Sequence, residues 1–199
     1  MRAEWGMNEL IGKVLDYKGP YTNYAKCGLT LIYLSHELKE DNRMIFPDNL
    51  AHSFFSSATT ESIMKIENKY SMEFPKLYKN LIKECNGFSL EAGNLNFYGI
   101  DFGLLDELSQ NEKAFFEVDV IQINKLSVPK NITSRYFIIG EDFYKNCWIG
   151  IKNDKTYYIN RDGKELKETD MVNDYLLSVE KFNRHAMDII SNLKQLYKY

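Results

Sequence analysis

The stretch Thr59–Gly87, TTESIMKIENKYSMEFPKLYKNLIKECNG, constrains the rest of the chain most. It encodes two short amphipathic helices joined by a tight turn, each with its own start and stop. Thr59 or Thr60 can cap the first helix by accepting a bond from a free backbone N–H, and Glu61 suits the positive end of the dipole. Ile63, Ile66 and Tyr70 recur at helical spacing and form one apolar stripe. Pro75 suits the start of the second helix, where no N–H is needed. Leu77, Tyr78, Leu81, Ile82 and Cys85 line one face of that helix. Asn86-Gly87 is predicted to end it, because glycine takes the left-handed cap conformation without steric cost.

Beyond Gly87 the pattern changes to strands. Leu95–Ile100 reads as one, and Tyr136-Phe137-Ile138-Ile139-Gly140 as a buried one. Cys147–Ile151 and Thr156–Ile159 follow, joined by the turn Lys152-Asn153-Asp154-Lys155, with Asn160-Arg161-Asp162-Gly163 as the next turn. Consecutive strands usually neighbour in space, so this is an antiparallel meander. Between the two strand regions, Asp101–Asp119 is acidic, and alternation over Val118–Ile123 predicts a short strand. From Asp170 a helical stripe (Val172, Tyr175, Leu176, Val179, Phe182, Ala186, Ile189, Ile190, Leu193, Leu196) runs almost to the end. Upstream, Met7, Leu10, Ile11, Val14 and Leu15 predict an amphipathic helix broken at Gly19-Pro20. Leu29–Leu38 forms a second element in which helix and strand are not separable, and 53–60 reads as a linker.

The opening pattern of Glu67, Phe74-Pro75, Leu77-Tyr78, Leu81-Ile82 and Asn86-Gly87 resembles the first motif of the SUKH superfamily. Leu95-Asn96-Phe97-Tyr98-Gly99-Ile100 is similar to that superfamily's first core strand, and Tyr136–Gly163 to its central hairpin. The resemblance covers roughly Thr59 to Arg184. It implies an α+β fold: a twisted, mainly antiparallel sheet flanked by helices. Residues 59–199, including the long C-terminal helix, are then the SUKH-like domain, and 1–58 an N-terminal extension on which the resemblance is silent. The superfamily includes a yeast cell-wall-synthesis regulator and many bacterial immunity proteins that neutralise toxins, and it brings no catalytic residues. It therefore implies a non-enzymatic protein-binding domain, foremost an immunity protein that blocks a toxin domain such as a nuclease. The alternative is an intracellular regulatory or scaffold protein.

The residues agree with a binding role. A formal net charge of −3 argues mildly against nonspecific attraction to nucleic acid or anionic membrane. Cys27, Cys85 and Cys147 are far apart and odd in number, which favours a reducing compartment. MRAEWGMNEL is too polar for a signal peptide, and no apolar run reaches membrane-spanning length, so the expected location is cytoplasmic. His36-Glu37 begins a zinc motif, but Glu40 stands where the second His would be. No GxSxG, Walker A or GxGxxG pattern occurs, Cys147 has no nearby His, and Asp142, Asp154 and Asp162 read as turn residues bonding their own backbone. No catalytic residue, cofactor or metal is therefore expected. An enzyme with an unrecognised site is the third hypothesis, and it lacks a convergent nucleophile, base or metal cluster. For partner contact the candidates are Asp101, Asp106, Glu107 and Glu112 for charge, and Tyr144, Trp148 and Tyr158 as aromatic anchors. A homodimer through the terminal segments stays open.

Overall fold

The computed structural model describes residues 10–12, 21–26, 29–34, 50–91, 93–100, 119–175, 177–181 and 184. Nine strands follow one another across one sheet in chain order, each antiparallel to the next. They are β1 Tyr21–Lys26, β2 Leu29–Leu34, β3 Leu50–Phe55, β4 Phe88–Leu90, β5 Leu95–Phe97, β6 Phe137–Asp142, β7 Cys147–Lys152, β8 Lys155–Asn160 and β9 Glu165–Thr169. The helices α1 Thr60–Tyr70 and α2 Lys76–Glu84 lie between β3 and β4. Between β5 and β6 come α3 Val120–Gln122, a π-helical turn Ile123–Ser127 and α4 Lys130–Thr133. With strands and helices both present, the fold is α+β, as the spacing and the resemblance imply.

The helix pair forms as its sequence dictates. Thr59 Oγ1 accepts from Ser62 N at 3.1 Å and caps α1. Glu67, on the inner turn, accepts from Phe74 N at 2.7 Å and from Lys79 Nζ at 3.3 Å, so one carboxylate fixes the α1–α2 connection. Ile63 and Ile66 on α1, and Tyr78 and Ile82 on α2, are buried. Each aliphatic side chain of this kind contributes about 1.5–3 kcal/mol by leaving water. Tyr78 of α2 and Phe74 just before it lock onto the sheet: Tyr78 lies 6.0 Å from Phe97 and 5.1 Å from Phe137, and Phe74 lies 5.6 Å from Phe137. Tyr175 packs 5.6 Å from Phe88 and donates to the Glu141 carbonyl at 3.0 Å, which joins the helical residues 171–175 to the same layer. Val172 and Val179 of the predicted C-terminal stripe are also buried. Leu176 and the rest of that stripe, from Phe182 on, lie outside the described residues, as do Met7, Val14 and Leu15; residues 10–12 are helical.

Asn86-Gly87 has a different task from the one predicted. α2 ends at Glu84, and Cys85 is already extended. Asn86 instead turns its side chain onto Ile100, donating from Nδ2 to the carbonyl at 2.9 Å and accepting from the N–H at 2.8 Å. Gly99 makes this approach feasible, since a Cβ there would sit 2.1 Å from the Asn86 carbonyl oxygen. Gly87 takes a φ of 99°, in the left-handed region that a side chain disfavours. The short strand predicted over Val118–Ile123 is also overturned from Asp119 on, Val118 lying outside the described residues. Asp119 accepts from Ile121 N at 2.8 Å and Gln122 N at 3.3 Å, so its carboxylate starts a helix at Val120 instead. The linker reading of 53–60 fails at its start, because Ser53, Phe54 and Phe55 belong to β3 and Ser53 and Phe54 pair with β4. The ambiguous element from Leu29 is a strand, β2. No helix among the described residues is long and apolar enough to cross a membrane.

Replacing Asn86 by Ala leaves the buried N–H and carbonyl of Ile100 without their partner, at a cost of about 1–3 kcal/mol for each group. Urea unfolding followed by circular dichroism should show a lower midpoint with an unchanged slope. An unaltered midpoint would mean that this pair of bonds contributes nothing to the fold.

Candidate functional site

In an antiparallel meander alternate turns share an end. The β4–β5, β6–β7 and β8–β9 turns therefore meet at one end of the sheet. Phe143 N donates to the Asn94 carbonyl at 2.9 Å, and Arg161 Nε donates to Asn146 Oδ1 at 3.3 Å, so the three turns are tied to one another. The β6–β7 turn is tight: Asp142 Oδ1 accepts from Lys145 N at 2.9 Å, and Asn146 adopts a φ of 48°. Turn asparagines tolerate that conformation. The geometry pushes Phe143 and Tyr144 outward, at 50% and 59% exposure.

Beside these rings the pairing register lines up a polar row. Ser53, Ser89, Asn96, Glu141 and Trp148 stand opposite one another from β3 to β7. Glu141 accepts from Tyr98 Oη at 2.5 Å and from Arg161 Nη2 at 3.1 Å. The Arg161 guanidinium lies 3.9 Å from the centre of the Trp148 ring and 5.6 Å from that of Phe143. A cation over an indole contributes about 0.5–2 kcal/mol, rising with desolvation. Ser53 Oγ and Trp148 Nε1, both in this row, are buried without a hydrogen-bond partner.

Behind the turn lies a carboxylate layer. Asp142 is buried and takes Lys145 Nζ at 2.6 Å, and Lys145 also donates to Tyr158 Oη at 2.8 Å. Glu91 is 2% exposed. Burial pushes its carboxyl above the usual range, against the opposing pull of hydrogen bonds from Ser178 and Tyr144. The Tyr144 ring is exposed, but its hydroxyl turns inward to Glu91 and Asn94. Desolvation, with the Glu91 charge behind it, pushes that hydroxyl up to about 12. Burial likewise pushes the Cys147 thiol up to about 12, which makes it a poor nucleophile at neutral pH.

The structure thus brings two of the sequence candidates, Tyr144 and Trp148, to one patch. Tyr158 is buried beneath it, 1% exposed, and reaches it only through Lys145. Asp101, Asp106, Glu107 and Glu112 lie outside the described residues. Sequence reasoning missed Arg161 and Glu141; Phe143 counts among the aromatics clustered at the hairpin but not among the contact candidates. For Arg161 the available signal is the Asn160–Gly163 turn, whose arginine lies at the same end as the β6–β7 turn once the meander is drawn.

A second depression, a groove of about 320 Å³, lies between Leu77 and Leu81 of α2 and residues 154–156 and 168–172. Its ionisable groups are largely spent on structure. Lys155 pairs with Glu168 at 2.8 Å, and Asp170 accepts from Asn173 N at 3.2 Å. Among the described residues no group of three His, Cys, Asp or Glu side chains is placed to hold a metal ion.

Residues 57–178 match the model of the SMI1 / KNR4 family (SUKH-1). Comparison with curated proteins and with solved structures gave no match.

The Glu91 environment has a pH signature. A carboxyl raised by folding binds its proton more tightly in the folded than in the unfolded chain. Its contribution to stability is therefore full below the unfolded value and is lost as pH rises through the folded one. Glu91→Gln removes that loss. Its Tm should exceed that of the wild type near pH 8, with the gap closing toward about pH 4. A wild type that gains on the variant as pH rises would make the ionised carboxylate a stabilising group and reverse the assignment.

Proposed function

We propose, because this chain belongs to the SMI1 / KNR4 family (SUKH-1), a family of protein-interaction domains, that it is an immunity protein acting by direct binding. In this reading it covers the active site of one cognate toxin domain, foremost a nuclease, and does no chemistry of its own. The observation that carries the reading is the patch at the turn end of the sheet. Two exposed rings, Phe143 and Tyr144, sit beside an arginine already stacked on Trp148. Trp, Tyr and Arg dominate interface hot spots. Side chains fixed before binding also lose less entropy on association, and the bonds from Asp142, Asn94 and Asn146 hold this turn in place. Tyr158 contributes from below, by holding Lys145.

The acidic residues Asp101, Asp106, Glu107 and Glu112 enter the same proposal through charge. A basic toxin approaching them would associate faster, which matters when it must be caught before it acts.

Co-expression with the toxin-like product of an adjacent gene tests the proposal. Survival of the host and co-purification of the two proteins are the expected outcome. The double variant Phe143→Ala, Tyr144→Ala should weaken binding by about ten- to a hundredfold, and because it also removes the hydroxyl that bonds Glu91 it should lower the Tm; Phe143→Ala alone, whose exposed ring carries no hydrogen bond, should weaken binding with an unchanged melting profile. Host death with a fully expressed, folded protein and no co-purifying toxin would end the immunity reading for that pair.

A further inference from the structure

We infer that the Arg161–Trp148 stack is a receptor for a carboxylate side chain on an acidic, apolar-flanked segment of a protein partner. The inference rests on the protein-binding reading above but not on the partner being a toxin. A guanidinium has five N–H donors in a rigid fork. Among the described residues Arg161 uses two, Nε to Asn146 Oδ1 at 3.3 Å and one on Nη2 to Glu141 Oε2 at 3.1 Å. Neither anchor swings freely: Glu141 is buried and held by Tyr98, and Asn146 is set by the left-handed turn. The side chain keeps 27% exposure. Arg161 is therefore flattened on an indole, fixed in direction and left with unspent donors, which is the geometry that a carboxylate matches with two parallel bonds.

The surroundings select the kind of carboxylate bearer. Phe143 and Tyr144 offer apolar area on one side, so a segment with Asp or Glu next to aliphatic or aromatic residues fits. A nucleic-acid strand fits poorly. Phosphate tracks need several free cations, whereas Lys145 is spent on Asp142, and Glu91, Glu141 and Asp142 lie directly behind the surface. Those buried charges also cancel the outer cations beyond contact distance. The site should therefore hold its ligand by short-range bonds, seen in the off-rate, with little salt-dependent steering of the on-rate.

The test pans a phage-displayed library of random 12-residue peptides on the full-length protein. Recovered peptides are synthesised with their acidic residues intact and as the corresponding amides. Binding is measured to the wild type, Arg161→Lys and Phe143→Ala, each checked for an unchanged Tm. The expected result is enrichment of Asp or Glu beside apolar residues. Amide substitution should cost about tenfold or more in Kd, Arg161→Lys should match that loss because an ammonium lacks the fork, and Phe143→Ala should give a smaller one. No enrichment, enrichment of basic peptides, binding indifferent to both variants, or tighter binding of oligothymidine than of the acidic peptides would each overturn the inference. Full protection in the co-expression experiment by Arg161→Lys would also overturn it while leaving the immunity reading intact. Absence of protection by the wild type would sink that reading and leave the peptide result standing.

Discussion

A strand that stops inside a protein leaves N–H and carbonyl groups that water cannot reach, and the whole arrangement depends on how this chain meets that constraint. Two asparagines do it. Asn86 pairs with both backbone groups of Ile100 just past β5. Asn124, in the π-helical turn, pairs with both backbone groups of Ile138, donating at 2.7 Å and accepting at 2.9 Å, beside the register shift in β6. Each side-chain amide substitutes for one residue of a neighbouring strand. The first closes the seam between the helix pair and the sheet. The second fastens the α3–α4 segment over strand β6. Neither would fit a bulkier or purely apolar residue, because each must donate and accept at once.

Much of this was legible beforehand where the physics is local. The Thr59 cap, the Ile63–Ile66 stripe, the Tyr78–Ile82 face and the β7–β8 hairpin follow from spacing and turn chemistry over a few residues, and they stand where the sequence put them. The failures are of another kind. Asp119 looked like one polar position in an alternating run, and only the helix that it starts reveals it as a cap. In sequence Asn86-Gly87 has the form of a helix terminator, because the partner that explains it, Ile100, is remote along the chain. The candidate site divides in the same way. Tyr144 and Trp148 were visible as aromatics at a hairpin, but Glu141 and Arg161 meet across two strands. Tyr158, equally aromatic, falls on the inner face because side chains alternate.

The patch also shows how charge can be layered. Cations stand at the rim, on Lys145 and Arg161, while carboxylates sit one layer in, on Glu91, Glu141 and Asp142. The inner layer fixes the outer one in position. It also sets carboxylates directly behind the outer cations.

The three turns that meet at this end carry almost none of the hydrophobic seam. Backbone hydrogen bonds between neighbouring strands keep the ribbons in order, and the rings of Phe74, Tyr78 and Tyr175 pack onto the sheet. Exposed tip positions such as Phe143 therefore differ from Glu91, Asp142 and Asn146, whose burial, bonds and backbone shape the turns that present them.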